Sequence, residues 1–208
     1  MRALIFLTLL VFNSANSYAF EKNSIAVIIS NEVVTTFDVR REIFYDRVVG
    51  GSDWNRGITE GDIRDFIPTL IEKWLVAQEA VKFSVTEITP DDISMEVGNF
   101  KNRFKSSQEF ENFMNISQLA PADLERLLAR DVQAREFLKI KLPTLEPQPT
   151  NEEIESYYWQ HAVKYKGKKP SDVRDEIVAE LRVSLKDRAY RRWMLDLRTR
   201  ANLVYVIR

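Results

Sequence analysis

The side chains that could carry out nucleophilic or acid–base chemistry are few in this sequence. Cysteine is absent and His161 is the single histidine, which leaves no thiol nucleophile and no cysteine- or histidine-rich metal site. Adjacent carboxylates occur at Asp91–Asp92 and Glu152–Glu153, a pairing that general acid–base catalysis could use. Both pairs fall where a helix is predicted to begin, a position at which the helix dipole favours acids. We therefore expect no catalytic residue, no metal, no cofactor and no enzyme activity.

A basic stretch with an aromatic residue inside it could bind nucleic acid. It contains Lys164, Lys166, Lys168 and Lys169, with Tyr165 interleaved. The formal net charge of −1 gives the whole chain no electrostatic preference for nucleic acid. The sequence has no glycine-rich phosphate loop, which argues against nucleotide binding. The sequence thus predicts a solvated basic loop and no nucleic-acid partner, while weak contact with anionic lipid or lipopolysaccharide stays open.

Apolar side chains on short, weakly amphipathic segments form the third group of interest. For any one of them a place in the core is the favoured interpretation, but short helices can also leave an apolar groove that binds polypeptide. The candidate client-binding residues are Phe100, Phe104, Phe110, Phe113, Met114 and Trp159.

The first nineteen residues have the pattern of an export signal. Arg2 supplies a positive charge, Ala3–Phe12 is apolar but too short to span a bilayer, and Ser17–Ala19 offers small residues around a larger one. We predict cleavage after Ala19 and no stable membrane insertion, with an uncleaved anchor as the alternative. Export without cysteine is typical of a bacterial periplasmic protein.

A small sheet is predicted from the two ends of the remaining chain. Ser24–Ile29 and Val33–Thr35 are rich in β-branched residues around a polar turn, which indicates a hairpin. An isolated hairpin is marginal in water, and Leu203–Ile207 is the obvious strand to pair with it.

Helix-start signals divide the middle of the chain into short helices. Thr36 is a plausible cap for a helix over 37–49. The helix that is predicted to begin at Thr59 has a strong amphipathic stripe. Pro68 lies inside this stripe and predicts a kink or a late start of the helix. Further helix starts are predicted at Thr59 with Asp62, at Thr89–Pro90, at Ser106 or Ser107, at Ala120–Pro121, and at Thr150 with Glu153.

The last part of the chain predicts a linker followed by a long helix. Pro143, Pro147 and Pro149 indicate an extended segment that cannot be helix interior. Ser171 is then expected to cap a helix of about 28 residues whose apolar residues recur every fourth position. Because that spacing drifts around a helix, the two ends of the helix should pack on different elements.

These elements predict a mainly α fold with a small β-sheet that joins the N-terminal hairpin to the C-terminal strand. The expected organisation is a signal peptide over 1–19 and one domain over 20–208. Within that domain, 20–142 forms the hairpin and helical core, 143–170 the linker, a short helix and the basic loop, and 171–208 the long helix and closing strand.

The order of elements resembles the chaperone domain of the SurA-type periplasmic chaperones. The matching segments are Ile25–Val39, Leu70–Ala80, Val85–Asp92, Leu124–Phe137 and Lys166–Ile207. The resemblance implies a helical domain that binds unfolded exported or outer-membrane proteins. Many members carry a parvulin-type prolyl isomerase domain before the last helix, and the short stretch between Thr150 and Ser171 leaves no room for one.

The predicted function is therefore an ATP-independent periplasmic chaperone whose partners are unfolded or extended polypeptides. Two alternatives stay open, a single-partner interaction subunit of an envelope complex and a degenerate peptidyl-prolyl isomerase. The sequence leaves the oligomeric state open.

Overall fold

The computed structural model describes residues 23–83, 88–145 and 148–207, and within them the chain is mainly α with a small sheet, as predicted. The predicted signal segment and its cleavage site lie outside the described residues. The elements are β1 (Ile25–Ile29), β2 (Glu32–Thr35), α1 (Thr36–Val49), α2 (Glu60–Phe83), α3 (Pro90–Lys101), α4 (Ser107–Ser117), α5 (Pro121–Thr144), α6 (Asn151–Gln160), α7 (Arg174–Arg200) and β3 (Leu203–Tyr205). No helix in these ranges is long and apolar enough to cross a membrane.

The sheet joins the two ends of the described chain. Its strand order is β2–β1–β3, and both pairings are antiparallel. Ile29 pairs with Glu32 across the hairpin turn and with Leu203 on the other side. The third strand supplies the partner that an isolated hairpin needs, so the predicted closing strand is confirmed.

Local capping signals placed most helix starts correctly. At Thr59, Thr89 and Thr150, the threonine hydroxyl accepts a hydrogen bond from the amide three residues on, and the acid at that position accepts from the threonine amide. The cap of α1 is Thr35, so the prediction of Thr36 is wrong. Asp38 lies three residues after Thr35 and completes the reciprocal pair.

Two prolines lie inside helices, and for Pro143 this is against expectation. α2 begins at Glu60 and continues through Pro68, so the predicted late start is wrong. The buried residues Ile67, Leu70 and Ile71 surround this exposed proline, and their packing outweighs one missing backbone hydrogen bond. Pro143 belongs to the last turn of α5, so the linker begins later than predicted.

The long helix α7 connects two separate packing regions. Its first half buries Ile177, Leu181 and Leu185 against α6, and its second half buries Trp193 and Leu197 against α2 and the sheet. The predicted bridging role of this helix is confirmed. Its predicted cap is wrong, because a 3₁₀ turn over Pro170–Val173 precedes the helix and contains Ser171.

Candidate functional site

Six aromatic side chains from α1, α3, α4 and the adjoining loops pack into one group, the aromatic cluster. Tyr45 stacks on Phe100 with ring centroids 5.5 Å apart, and Phe104 lies 5.2 Å from Phe113 and 5.5 Å from Phe110. The members are Tyr45, Trp54, Phe100, Phe104, Phe110 and Phe113. The turn between α3 and α4 reverses the chain and brings these residues together.

An open groove of about 540 Å³ lies beside the aromatic cluster, between α3, α4 and α5. We call it the α3–α4–α5 groove. Its lining residues are Val97, Lys101, Phe110, Glu111, Met114, Asn115, Leu119, Pro121, Leu124 and Glu125. The volume is in the range of natural ligand sites, and the lining is apolar with a few polar and charged side chains.

The start of α4 fixes where Phe110 and Met114 point. Ser106 caps this helix, because its hydroxyl accepts a hydrogen bond from the amide of Glu109 at 3.2 Å. Phe110 and Met114 are four residues apart and so share one helix face. Lys101 holds its ammonium group 5.3 Å from the centre of the Phe110 ring, which places a cation at the edge of the groove.

The structure separates the six candidate client-binding residues into three groups. Phe100 and Phe113 are 2% and 0% exposed, so their assignment to a binding surface is corrected: neighbouring rings and aliphatic side chains cover them. Phe110 and Met114 line the α3–α4–α5 groove, and Phe104 is a half-buried member of the aromatic cluster that does not line the groove. Trp159 lies on α6, belongs to neither, and is 68% exposed.

A second groove, which sequence reasoning missed, lies between β2, α1, α2 and α5. It encloses about 530 Å³, shares Leu119 with the first groove, and includes Val33 and Val34 of the edge strand β2. Charged side chains line its inner wall, namely Arg41, Glu42 and Arg130. A usable signal was present, since Glu42 occupies the same face of α1 as Val39 and Ile43.

The buried ion pair of this second groove has unusual electrostatics. Arg130 Nη2 lies 2.5 Å from Glu42 Oε1, and the guanidinium carbon is 5.6 Å from the centre of the Trp74 ring. Burial raises the pKa of Glu42 above its ordinary value, although the positive charge of Arg130 opposes the rise. Burial also raises the pKa of Tyr45, whose hydroxyl donates to Asp131 at 2.8 Å.

A third depression makes the surface continuous around the N-terminal half of α5. It is about 900 Å³, shares Val97 and Glu125 with the α3–α4–α5 groove, and shares Arg126 with the groove at β2. The three together form a long, partly apolar surface rimmed by charges. Such a surface suits reversible contact with an extended chain better than the enclosure of one small molecule.

The described residues contain little that could act as a reaction centre. His161 stacks on Tyr157 with centroids 4.0 Å apart, and its Nδ1 lies 2.9 Å from the carbonyl oxygen of Tyr157. No group of three or more His, Asp or Glu side chains in the described ranges is arranged to hold a metal ion.

Comparisons with known proteins supply no relative that would assign a function. No protein-family model matches the chain, and no curated protein matches it. The resemblance to SurA-type chaperones therefore stays a prediction that rests on the order and character of the elements.

Proposed function

We propose that this chain is an ATP-independent chaperone that binds unfolded or extended segments of exported proteins in the periplasm. The observation that carries the proposal is the α3–α4–α5 groove, where Phe110 and Met114 stand side by side in an open, apolar depression. Phenylalanine and methionine suit varied clients, since one gives a large contact area and the other adapts its shape.

The mechanism consists of reversible burial with no covalent step. Apolar side chains of a client enter the groove and lose contact with water, which is the favourable term. Ordering a flexible client opposes this gain, so the affinity per contact is modest and release is fast. The sequence has no glycine-rich phosphate loop, and the cycle needs no nucleotide.

The charged rim keeps the groove soluble and limits how tightly a client is held. Lys101, Glu111 and Glu125 border the apolar lining with both signs of charge. Polar rims around an apolar centre are usual at binding surfaces. The rim favours segments with mixed charge next to apolar residues, which alternate along unfolded outer-membrane strands.

The first test is suppression of aggregation of an unfolded outer-membrane β-barrel protein, without ATP. The chain from Phe20 to Arg208 contains every described element and is mixed with the client at near-stoichiometric ratio. We expect clear suppression, measured by light scattering. A well-folded chain that leaves client aggregation unchanged would refute general chaperone activity.

The groove variant for this test is Phe110→Gln with Met114→Gln. We expect suppression to fall several-fold, because both apolar contacts with the client are lost. The matched control is Val183→Gln with Leu195→Gln on α7, which also removes two apolar side chains, 68% and 64% exposed. Circular dichroism and thermal unfolding establish that both variants are folded.

The alternatives give different results in the same series. A single-partner subunit would leave a panel of unfolded clients unprotected and would retain one protein from an envelope extract. A prolyl isomerase would accelerate cis–trans isomerisation of a proline peptide, and real acceleration would overturn the prediction that the chain is not an enzyme.

A further inference from the structure

The end of α6 and the chain that follows it, up to the 3₁₀ turn, form a compact segment, which we call the 159–169 tip. Successive backbone hydrogen bonds close it, among them Lys164 to His161 at 2.9 Å and Lys168 to Tyr165 at 3.0 Å. Tyr165 is 1% exposed and anchors the base of the tip. Gly167 has a φ of +81°, a conformation that glycine adopts without strain.

Two apolar side chains stand out from this tip into solvent. Val163 is 92% exposed, and Trp159 is 68% exposed. Their neighbours differ, since Tyr165 is buried and Tyr158 is half-buried. Neither residue borders any of the three grooves around α5.

The charges of the tip are of one sign. Lys166, Lys168 and Lys169 are exposed, and within the described ranges none of them forms an ion pair. Lys164 differs, because Glu176 and Glu180 both bind its ammonium group. No acidic residue occurs from 159 to 169.

Acids close to the tip do not neutralise its three free lysines. Glu155 lies one helical turn before Trp159, and Asp172 follows the tip. The Asp172 carboxylate accepts hydrogen bonds from the backbone amide of Lys169 at 3.3 Å and from the hydroxyl of Ser171 at 3.0 Å. The outer surface of the tip is therefore cationic.

The apolar and cationic parts form one surface. The Trp159 ring lies 5.0 Å from that of Tyr158, and the Tyr158 hydroxyl donates to the carbonyl oxygen of Lys168 at 2.7 Å. Tyr158 also stacks on Tyr165 at 5.8 Å. These contacts place the Trp159 ring and the backbone that carries the lysines around the same residue, Tyr158.

We propose that the 159–169 tip binds the surface of an anionic lipid membrane. Trp159 and Val163 enter the headgroup region, where tryptophan is favoured, and the three lysines contact lipid phosphates. Charge complementarity selects this occupant, because an apolar client would gain nothing from three unpaired cations. The inference uses no residue of the α3–α4–α5 groove and goes beyond the proposed chaperone function.

The test is sedimentation with lipid vesicles at low ionic strength. The chain from Phe20 to Arg208 is used, since the apolar segment before it would itself bind lipid. We expect binding to vesicles that contain phosphatidylglycerol and far weaker binding to phosphatidylcholine alone, with loss of binding at high salt. Equal binding to both vesicle types would overturn the proposal.

Variants of the tip separate its two parts. Lys166→Gln with Lys168→Gln and Lys169→Gln should weaken binding about fivefold per lysine, and Trp159→Ser should remove most of the remaining affinity. The matched control is Arg191→Gln with Arg192→Gln, a loss of two exposed charges on α7. The proposal fails if this control weakens binding as much per charge.

A soluble polyanion distinguishes a lipid surface from nucleic acid. Single-stranded DNA should bind weakly, with no effect of Trp159→Ser. If it binds as tightly as the anionic vesicles, the lipid assignment is wrong. The groove variant Phe110→Gln with Met114→Gln should bind vesicles normally. The chaperone proposal and the lipid-binding proposal can therefore fail independently of each other.

Discussion

At the scale of single residues, the ion pair of Glu42 and Arg130 matters for stability because both side chains are largely buried. The side chains are 5% and 18% exposed, and burying charges is costly unless they are paired. Glu42 Oε2 has no hydrogen-bond partner among the described residues. The negative charge of the Glu42 carboxylate is therefore compensated through its contact with Arg130.

We predict that Arg130→Leu lowers the free energy of unfolding by about 3 kcal/mol at pH 7, because it leaves a buried carboxylate without its counter-charge. Urea unfolding measures the loss. Glu42→Leu with Arg130→Leu should recover most of it, and Arg126→Leu, whose side chain is 77% exposed, should cost under about 1 kcal/mol. A double variant as unstable as the single one would contradict this account.

The loss in Arg130→Leu should depend on pH. Burial raises the pKa of Glu42 above its ordinary value of 4.5, and removing Arg130 raises the pKa further. The folded state then holds a proton that the unfolded state releases, so stability falls as pH rises above that ordinary value. Unfolding measured at several pH values should show the variant closest to wild type in acid.

The solvent exposure of individual residues at the site could not be predicted from the sequence. Phe104, Phe110 and Phe113 have the same side chain, yet one is in the core and two border solvent. Their exposure depends on how α4 turns back on α3, which is a long-range property. The sequence could predict which segments carry the apolar side chains, whereas it could not predict which of these side chains are accessible to solvent.

At the scale of elements, local signals were reliable where the chemistry is local. Thr59, Thr89 and Thr150 start helices because a hydroxyl and an acid three residues on satisfy free amides. Pro68 and Pro143 show the limit of such signals. At Pro68, the packing of the buried residues around it outweighed the lost backbone hydrogen bond, and at Pro143 the helix continued to Thr144, past the predicted start of the linker.

The bridging helix α7 allows a direct test of coupling between its two packing regions. Asp187 is exposed and lies between Leu185 and Trp193, which belong to different regions. Asp187→Pro should lower stability by about 3 kcal/mol and split thermal unfolding into two transitions, because proline interrupts the helix. Calorimetry should show one transition for the control Asp187→Ala. A single transition for Asp187→Pro as well would mean that the two packing regions unfold together even when α7 is interrupted.

At the scale of the whole molecule, the sheet ties the end of α7 to the start of the described chain. β1 is the central strand, so loss of β3 leaves a two-stranded hairpin. The amides of Val206 and Ile207 also bond to the carbonyl oxygen of Ala26, at 3.1 Å and 3.2 Å. The closing segment therefore contributes hydrogen bonds as well as the packing of Leu203 and Ile207 on the main core.

We predict that deleting residues 202–208 destabilises the entire core, since Ala26, Val27 and Ile29 of β1 belong to it. The midpoint of urea unfolding should fall markedly, and the α3–α4–α5 groove should lose client binding with it. Val206→Ser, at a half-exposed position, keeps the backbone contacts and should be nearly neutral. A truncated chain of normal stability would show that β3 is dispensable.

The position of β3 in the sequence also governs the fate of the nascent chain. The strand follows every other described element, so a ribosome must complete α7 before β1 can gain its second neighbour. Pairings between distant parts of a chain form slowly. Until that last strand emerges, β1 has only β2 as a partner, so the three-stranded sheet closes only after the rest of the described chain has been synthesised.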